Sequence, residues 1–264
     1  MEDKDWKRDP KLFRDKVRQG EWRTSTVSVC TDYVQANLAI LPMEFALDFT
    51  IFCLRNPQPC PILEILEAGE PMVREMAVNA DIRVHVPVYR IFENGKLARE
   101  VDEIGEYWRD DLVTFLIGCS YTFEEALVRG GVPIRNYLKQ KDPGVYISSI
   151  MCRPAGMFSG PMLVTMRPIP PHMVSRAVQI TSRFPRTHGA PVYIGDGAAI
   201  GIPDYRKIDF GEVPEMEEGE IPVFWGCGVT PQVVALQSKV PFMITHKPCH
   251  MFVSDIRIEE IAVS

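Results

Sequence analysis

Two periodicities run through the apolar positions of this chain, and they predict its elements in order. Residues 9–19 read as a first helix ending at Gly20. Tyr33 to Leu41 reads as a strand running into Pro42, and Met43 to Leu54 as a helix with apolar residues at helical spacing, broken by Asn56-Pro57-Gln58-Pro59. Cys60 to Leu66 is another short strand, so the opening order is β-α-β, which favours a parallel sheet. Residues 67–81 are acidic and irregular. Ile82 to Ile91 alternates apolar and polar, Glu93-Asn94-Gly95-Lys96 is a strong hairpin turn, and Leu97 to Val101 returns. Leu112 to Ile117 is a mostly apolar run, as in a strand buried on both faces. Gly118-Cys119-Ser120 turns the chain, Thr122 and Glu125 match the capping box that opens a helix, and Gly130-Gly131 closes it. Val145 to Met151 and Met162 to Arg167 are strands around a Gly/Pro-stiffened loop, and Pro170-Pro171 opens a helix to about Phe184. Pro191 to Ile194 is a strand, Gly195-Asp196-Gly197 a turn, Ala198 to Ile202 a short helix, and 209–220 an acidic loop. Residues 222–235 then repeat the plan of the earlier turn: strand, Gly226-Cys227, two residues, Thr230 as cap, Pro231 at the first helical position. Phe242 to Thr245 and Met251 to Val253 close the set.

The elements predict an α/β fold: a mostly parallel sheet with flanking helices, plus a smaller inserted α+β subdomain containing the antiparallel hairpin. Residues 1–80 and 108–264 would form the main domain, and 81–107 with part of 140–170 the smaller one. With 264 residues and 46% hydrophobic content, the chain can bury a large core. A formal charge of −6, with no basic cluster, argues against nucleic acid or an anionic membrane as partner. The charged start MEDKDWKRDP does not read as a signal or transit peptide, and no apolar run approaches the roughly eighteen residues of a membrane span. Seven cysteines, an odd number without C-x-x-C, read as reduced thiols of a cytoplasmic protein. A homo-oligomer is compatible with the sequence.

Gly-Cys-x-x-Thr occurs twice, and it places Cys119 and Cys227 at strand ends facing helix starts. The helix dipole there favours a thiolate, so either could be a nucleophile; the plainer alternative is a small buried residue filling a tight turn. The same helix starts, with Ser120, Thr122, Gly228 and Thr230, could hold a carboxylate or an oxyanion. His246 and His250 suit acid/base work, with His188 a third candidate and a hydrogen-bonded structural role the alternative for each. Pro248 between His246 and His250 argues against a helical metal site. Arg153, Arg167 and Arg183 sit beside turns, where arginine clamps carboxylates. Asp196, at a strand end, is a further catalytic candidate, against a turn or cap role. Glu124 is an ordinary acid of a first helical turn. No P-loop, G-x-G-x-x-G, G-x-S-x-G or EF-hand pattern is present.

Several stretches carry a resemblance. WRDDLVTFLIGCSYTFEEAL (108–127), FSGPMLVTMR (158–167), QITSRFPRTHGAPVYIGD (179–196), VFWGCGVTPQ (223–232) and ITHKPCHMFVSD (244–255), with Gly20-Glu21-Trp22, Tyr33 to Pro42 and Arg55 to Pro61, resemble the D-glutamate cyclase family, whose bacterial members are usually labelled hydro-lyases. The resemblance implies a two-domain α/β fold and a reversible conversion of D-glutamate to 5-oxo-D-proline and water. It implies a small dicarboxylate or amino-acid substrate and no cofactor; closing a five-membered lactam is intramolecular and needs no ATP. On this reading His246 or His250 would be the acid/base, the helix starts after Cys119 and Cys227 would bind the carboxylates, and Arg153 or Arg183 would clamp. The alternatives are a metal-dependent hydro-lyase or hydrolase of another small carboxylate, with His246, His250 and a cysteine or acid as ligands, and a non-enzymatic small-acid-binding protein.

Overall fold

Asp9 caps the first helix, α1 (Pro10–Arg18): its Oδ1 accepts the Leu12 N–H at 3.0 Å, and Pro10 takes the first position, where no N–H is needed. In the computed structural model, which describes residues 5–264, the chain continues through β1 (Tyr33–Pro42), α2 (Met43–Arg55) and β2 (Ile62–Leu66). A two-stranded pair follows, β3 (Met72–Val73) with β4 (Ala80–Asp81). The hairpin of β5 (Tyr89–Glu93) and β6 (Lys96–Val101) turns on Asn94 and Gly95, with φ of 52° and 73°, the positive values a tight hairpin requires. Next come β7 (Leu112–Gly118), α3 (Tyr121–Arg129), α4 (Arg135–Leu138), β8 (Gly144–Met151), β9 (Pro161–Ile169), α5 (Val174–Ser182) and β10 (Tyr193–Ile194). The chain ends with β11 (Ile221–Gly226), α6 (Thr230–Ser238), β12 (Phe242–His246) and β13 (Phe252–Arg257).

The expected mostly parallel sheet does not form. Every strand pairing among the described residues is antiparallel: a seven-stranded sheet in the order β2-β7-β1-β12-β5-β6, with β13 also on β1, and a four-stranded sheet in the order β10-β11-β9-β8. The β1-α2-β2 passage shows why. Both strands are antiparallel to β7, so they point the same way, as in a crossover unit. β7 comes later in the chain and inserts between them, which removes the parallel ladder. All seven residues of β7 are buried, and a strand covered on both faces reads alike whichever way its neighbours run. The hairpin extends this same sheet, because β5 pairs with β12. Residues 82–88, expected as strand, turn instead: the Tyr89 hydroxyl donates to the Ile82 carbonyl at 2.6 Å and accepts the Val86 N–H at 3.1 Å.

Strand alternation feeds two apolar layers, and each layer draws on both sheets. Leu38 and Ile40 of β1 join Val223 and Trp225 of β11 in one; Ala39 and Leu41 join Phe115 and Phe224 in the other. Each fully buried Phe or Leu contributes about 1.5–3 kcal/mol. No helix among the described residues is long and apolar enough to cross a membrane.

Candidate active site

The two Gly-Cys-x-x-Thr turns meet. A Cβ on Gly228 would lie 2.0 Å from Nδ2 of Asn37 and 2.9 Å from the Gly118 carbonyl oxygen, so only glycine permits this approach. Asn37 comes from the middle of β1, and its Nδ2 donates to that carbonyl at 2.7 Å. The turn after α2 backs both strand ends: the Gly118 N–H donates to the Pro61 carbonyl at 2.9 Å, and the Gln58 carbonyl lies 2.8 Å from where a Gly226 Cβ would stand. A pocket opens at this junction, lined among others by Asn37, Cys119, Ser120, Thr165, His188, Cys227 and Gly228. It is narrow, a cavity of about 20 Å³.

The cysteines are thiols that serve their own helices. The Tyr121 N–H donates to the Cys119 sulfur and the Val229 N–H to the Cys227 sulfur. Burial pushes both thiols up, Cys227 to about 11, against those N–H donors and Arg167. Cys249, which also lines the pocket, is held well above its ordinary value, chiefly by burial. All seven cysteines are free and buried. The expected capping box is absent: α3 begins at Tyr121, so Thr122 lies inside the helix, and Glu125 pairs with Arg129 at 2.8 Å and also bonds Tyr137. Thr122 and Thr230 instead extend the sheets. Oγ1 of Thr122 accepts the Gln35 N–H at 3.3 Å, and that of Thr230 accepts the Leu163 N–H at 3.1 Å.

His188 is the histidine that lines the pocket. Its Nδ1 lies 2.6 Å from the Gln58 carbonyl oxygen, which can only accept; Nδ1 therefore carries the proton and Nε2 is left as the basic nitrogen. Burial lowers its pKa to about 4, against the backbone carbonyls of Gln58 and Gly118, with Arg167 adding to the fall. The residue sits in the left-handed region, at φ 84°. His246 belongs to the sheet instead. β12 and β13 lie end to end along β1, and in the gap between them the Leu38 N–H finds Nδ1 of His246 at 3.0 Å rather than a strand carbonyl. Burial holds that ring's pKa at about 3, and Nε2 has no partner among the described residues. His250 donates from Nδ1 to the Pro248 carbonyl at 2.8 Å.

Beneath the pocket lies an ion pair between Arg167 of β9 and Glu124 of α3, at 2.6 Å and with side chains 1% and 0% exposed. Arg167 also donates to Oγ1 of Thr165 at 2.8 Å and to Oγ of Ser120 at 3.0 Å, and stacks over Phe123 and Trp225, 5.3 and 5.5 Å from the ring centres. Breaking such a buried pair costs about 3–5 kcal/mol. The structure thus gathers Cys119, Ser120, His188, Cys227 and Gly228. The remaining expected site residues lie elsewhere. Arg153 has an exposed side chain and bonds Asn56 through its backbone. Arg183 donates to the Val263 carbonyl at 3.0 Å, and Asp196 caps the Gly197–Ile200 turn through the Ala198 N–H at 3.0 Å. Asn37 and Thr165 were not foreseen; their signal was a polar residue inside a mostly apolar, buried stretch of strand. Among the described residues no group of three or more His, Cys, Asp or Glu side chains is arranged to hold a metal ion.

The chain is an enzyme of the carbon–oxygen lyase class, as its relatives are named. It belongs to the D-glutamate cyclase family, whose model matches residues 113–255. A "Putative hydro-lyase" of Stutzerimonas stutzeri is 51% identical over 96% of each chain. Proteins of that name from a Thermoanaerobacter species and from Bacillus pumilus are 51% and 48% identical, over 96% and 97% of each chain. A nitrogen repressor-like protein of Methanococcus jannaschii is 12% identical over 87% of this chain and 90% of its own, with a TM-score of 0.38, too remote a likeness to bear on the fold.

Proposed function

We propose that this hydro-lyase interconverts D-glutamate and 5-oxo-D-proline with loss or gain of water, in the pocket at the junction of the two turns. The observation that carries the reading is His188: a neutral imidazole with a fixed tautomer, in a pocket it shares with Ser120, Thr165 and Asn37. In the forward direction the α-amine attacks the γ-carboxyl carbon, one C–N bond forms, one C–O bond breaks, and the oxygen leaves as water. The ammonium gives up two protons in all, and His188 Nε2 relays them to the departing oxygen, one before the amine attacks and the other as the C–O bond breaks. A substrate carboxylate beside the ring raises its low pKa on binding, because a nearby carboxylate favours imidazolium. Oδ1 of Asn37, whose amide nitrogen is already bonded to Gly118, accepts from the substrate ammonium.

The test is incubation with D-glutamate, L-glutamate and both 5-oxoprolines, following the gain or loss of water by mass. Conversion of the D pair is expected, and His188→Gln should slow it roughly 100- to 10,000-fold. Conversion of none of the four compounds would sink the reading. Full activity in His188→Gln would move the acid/base role to another residue.

A further inference from the structure

Most polar donors around the pocket are already in use. Asn37 Nδ2 is bonded to the Gly118 carbonyl, His188 Nδ1 to the Gln58 carbonyl, and the Tyr121 hydroxyl to Asp142 at 2.7 Å. At the start of α3 the Tyr121 N–H goes to the Cys119 sulfur and the Thr122 and Phe123 N–H groups to the Cys119 and Ser120 carbonyls. At the start of α6 the Val229 and Thr230 N–H groups go to the Cys227 sulfur and carbonyl. The helix starts therefore have little left to offer an anion.

Two hydroxyls differ. Ser120 Oγ and Thr165 Oγ1 both accept from the guanidinium of Arg167, at 3.0 and 2.8 Å. A guanidinium has no acceptor, so each hydroxyl keeps its own proton for another partner. Among the described residues neither proton has one, although Ser120 is only 4% exposed and Thr165 2%. Both line the pocket. Arg167 cannot swing away to meet a ligand itself, because Nε and Nη2 are fixed on Oε1 of Glu124 at 2.8 and 2.6 Å.

We propose that Arg167 presets the hydroxyls of Ser120 and Thr165 as a pair of donors that cradles one substrate carboxylate, the one at which the tetrahedral oxyanion forms. Arg167 is then a positioning residue. Its charge strengthens both hydroxyls as donors without touching the substrate, since each accepts from a cation while it donates to an anion. The donors are held in place before the reaction begins, which is what stabilisation of a developing oxyanion needs. The assignment rests on the proposed substrate class, a small dicarboxylate.

The experiment is calorimetric titration of the whole protein with glutarate, a dicarboxylate without the amine, so that binding is read apart from turnover. Thr165→Val and Ser120→Ala should each weaken binding roughly 10- to 100-fold, the usual size for a hydrogen bond to a charged group. Thr165→Ser restores the hydroxyl and should bind as the wild type does, while unfolding midpoints show that the variants are folded. Arg167→Lys should weaken glutarate in the wild-type background but not when Ser120→Ala and Thr165→Val are both present, a coupling that a merely structural role would not produce. Unchanged binding in Thr165→Val and Ser120→Ala overturns the cradle, and so does wild-type protein that ignores glutarate. Failure of the turnover reading looks different: glutarate binds and depends on both hydroxyls, yet no glutamate or 5-oxoproline is converted.

Discussion

Gly228→Ala tests whether the site depends on the contact between the two turns. The added methyl would stand 2.0 Å from Nδ2 and 2.4 Å from Cγ of Asn37, and 2.9 Å from the Gly118 carbonyl oxygen. Ordinary contacts at such a carbon begin near 3.4 Å, so something must shift by roughly 1 Å. Asn37 has little freedom to do so: it is 2% exposed, and its amide is held by the Gly118 carbonyl at 2.7 Å. The strain therefore passes to the turns themselves. Overpacking of this kind costs about 1–3 kcal/mol, and a displacement of about 1 Å at a reacting centre lowers a rate by roughly a hundredfold. Urea unfolding curves read the strain, D-glutamate turnover reads the rate, and glutarate titration reads binding at the site. Gly105→Ala is the control, because nothing lies within 4 Å of its added carbon, and it should stay within about 0.5 kcal/mol of wild type. Gly228→Ala protein that unfolds and binds like the control would refute the contact as the organising feature of the site.

Acid should weaken the fold earlier than carboxylate protonation alone would. Burial holds His85, His188 and His246 down, at about 4, 4 and 3 from an ordinary 6.5. The unfolded chain binds these protons as the pH falls through 6.5 while the folded chain does not, so stability is greatest above 6.5 and declines below it. At pH 5 each ring costs about 2 kcal/mol, and the three together about 6, comparable with a typical total stability. A urea midpoint at pH 5 equal to that at pH 7.5 would contradict this. The pocket thiols should be inert: with Cys227 at about 11 rather than 9.0, its thiolate fraction near neutrality is roughly a hundredfold below that of a free cysteine. Iodoacetamide should label Cys227 slowly in the native protein and fast in urea, and Cys119→Ala and Cys227→Ala should each retain turnover. Rapid native labelling, or abolished turnover in a folded variant, would restore a nucleophilic cysteine.

Individual elements were legible in the sequence and their assembly was not. Prolines and the Asn94-Gly95 turn mark boundaries locally, and the helices and most strands fall near them, although the threonines expected as caps, Thr122 and Thr230, lie inside their helices. Strand direction is a non-local property. β1 and β2 are joined by a helix and point the same way, and nothing within residues 33–66 announces that β7, which begins only at Leu112, slides between them. The histidines show the same limit. His246 looked apt for chemistry by residue type, but its ring fills a missing ladder bond between two strands that only the folded sheet brings end to end. His188 carries the proposed acid/base role because the Gln58 carbonyl, far away in sequence, fixes the proton on its Nδ1.

The repeated motif separates scaffold from chemistry. In both copies the cysteine sulfur accepts the N–H two residues on, the cysteine carbonyl accepts the threonine N–H, and the threonine hydroxyl accepts an N–H from the neighbouring strand. These are the positions the two turns share, and each is accounted for by closing a strand-to-helix corner without unsatisfied backbone groups. The copies part in the side chains of the two positions after each cysteine, Ser120-Tyr121 against Gly228-Val229, and the first of these bears on the junction. In one turn it is Ser120, bonded to Arg167 with a hydroxyl proton to spare; in the other it is Gly228, which lets Asn37 through to the opposite turn. A Gly228 with a side chain would close the junction, and a Ser120 without its hydroxyl would leave the Arg167 N–H pointing at nothing. Two identical corners would make a symmetric support with no site. The pocket lies where two corners built on the same hydrogen bonds present different side chains, Ser120 and Tyr121 on one and Gly228 and Val229 on the other.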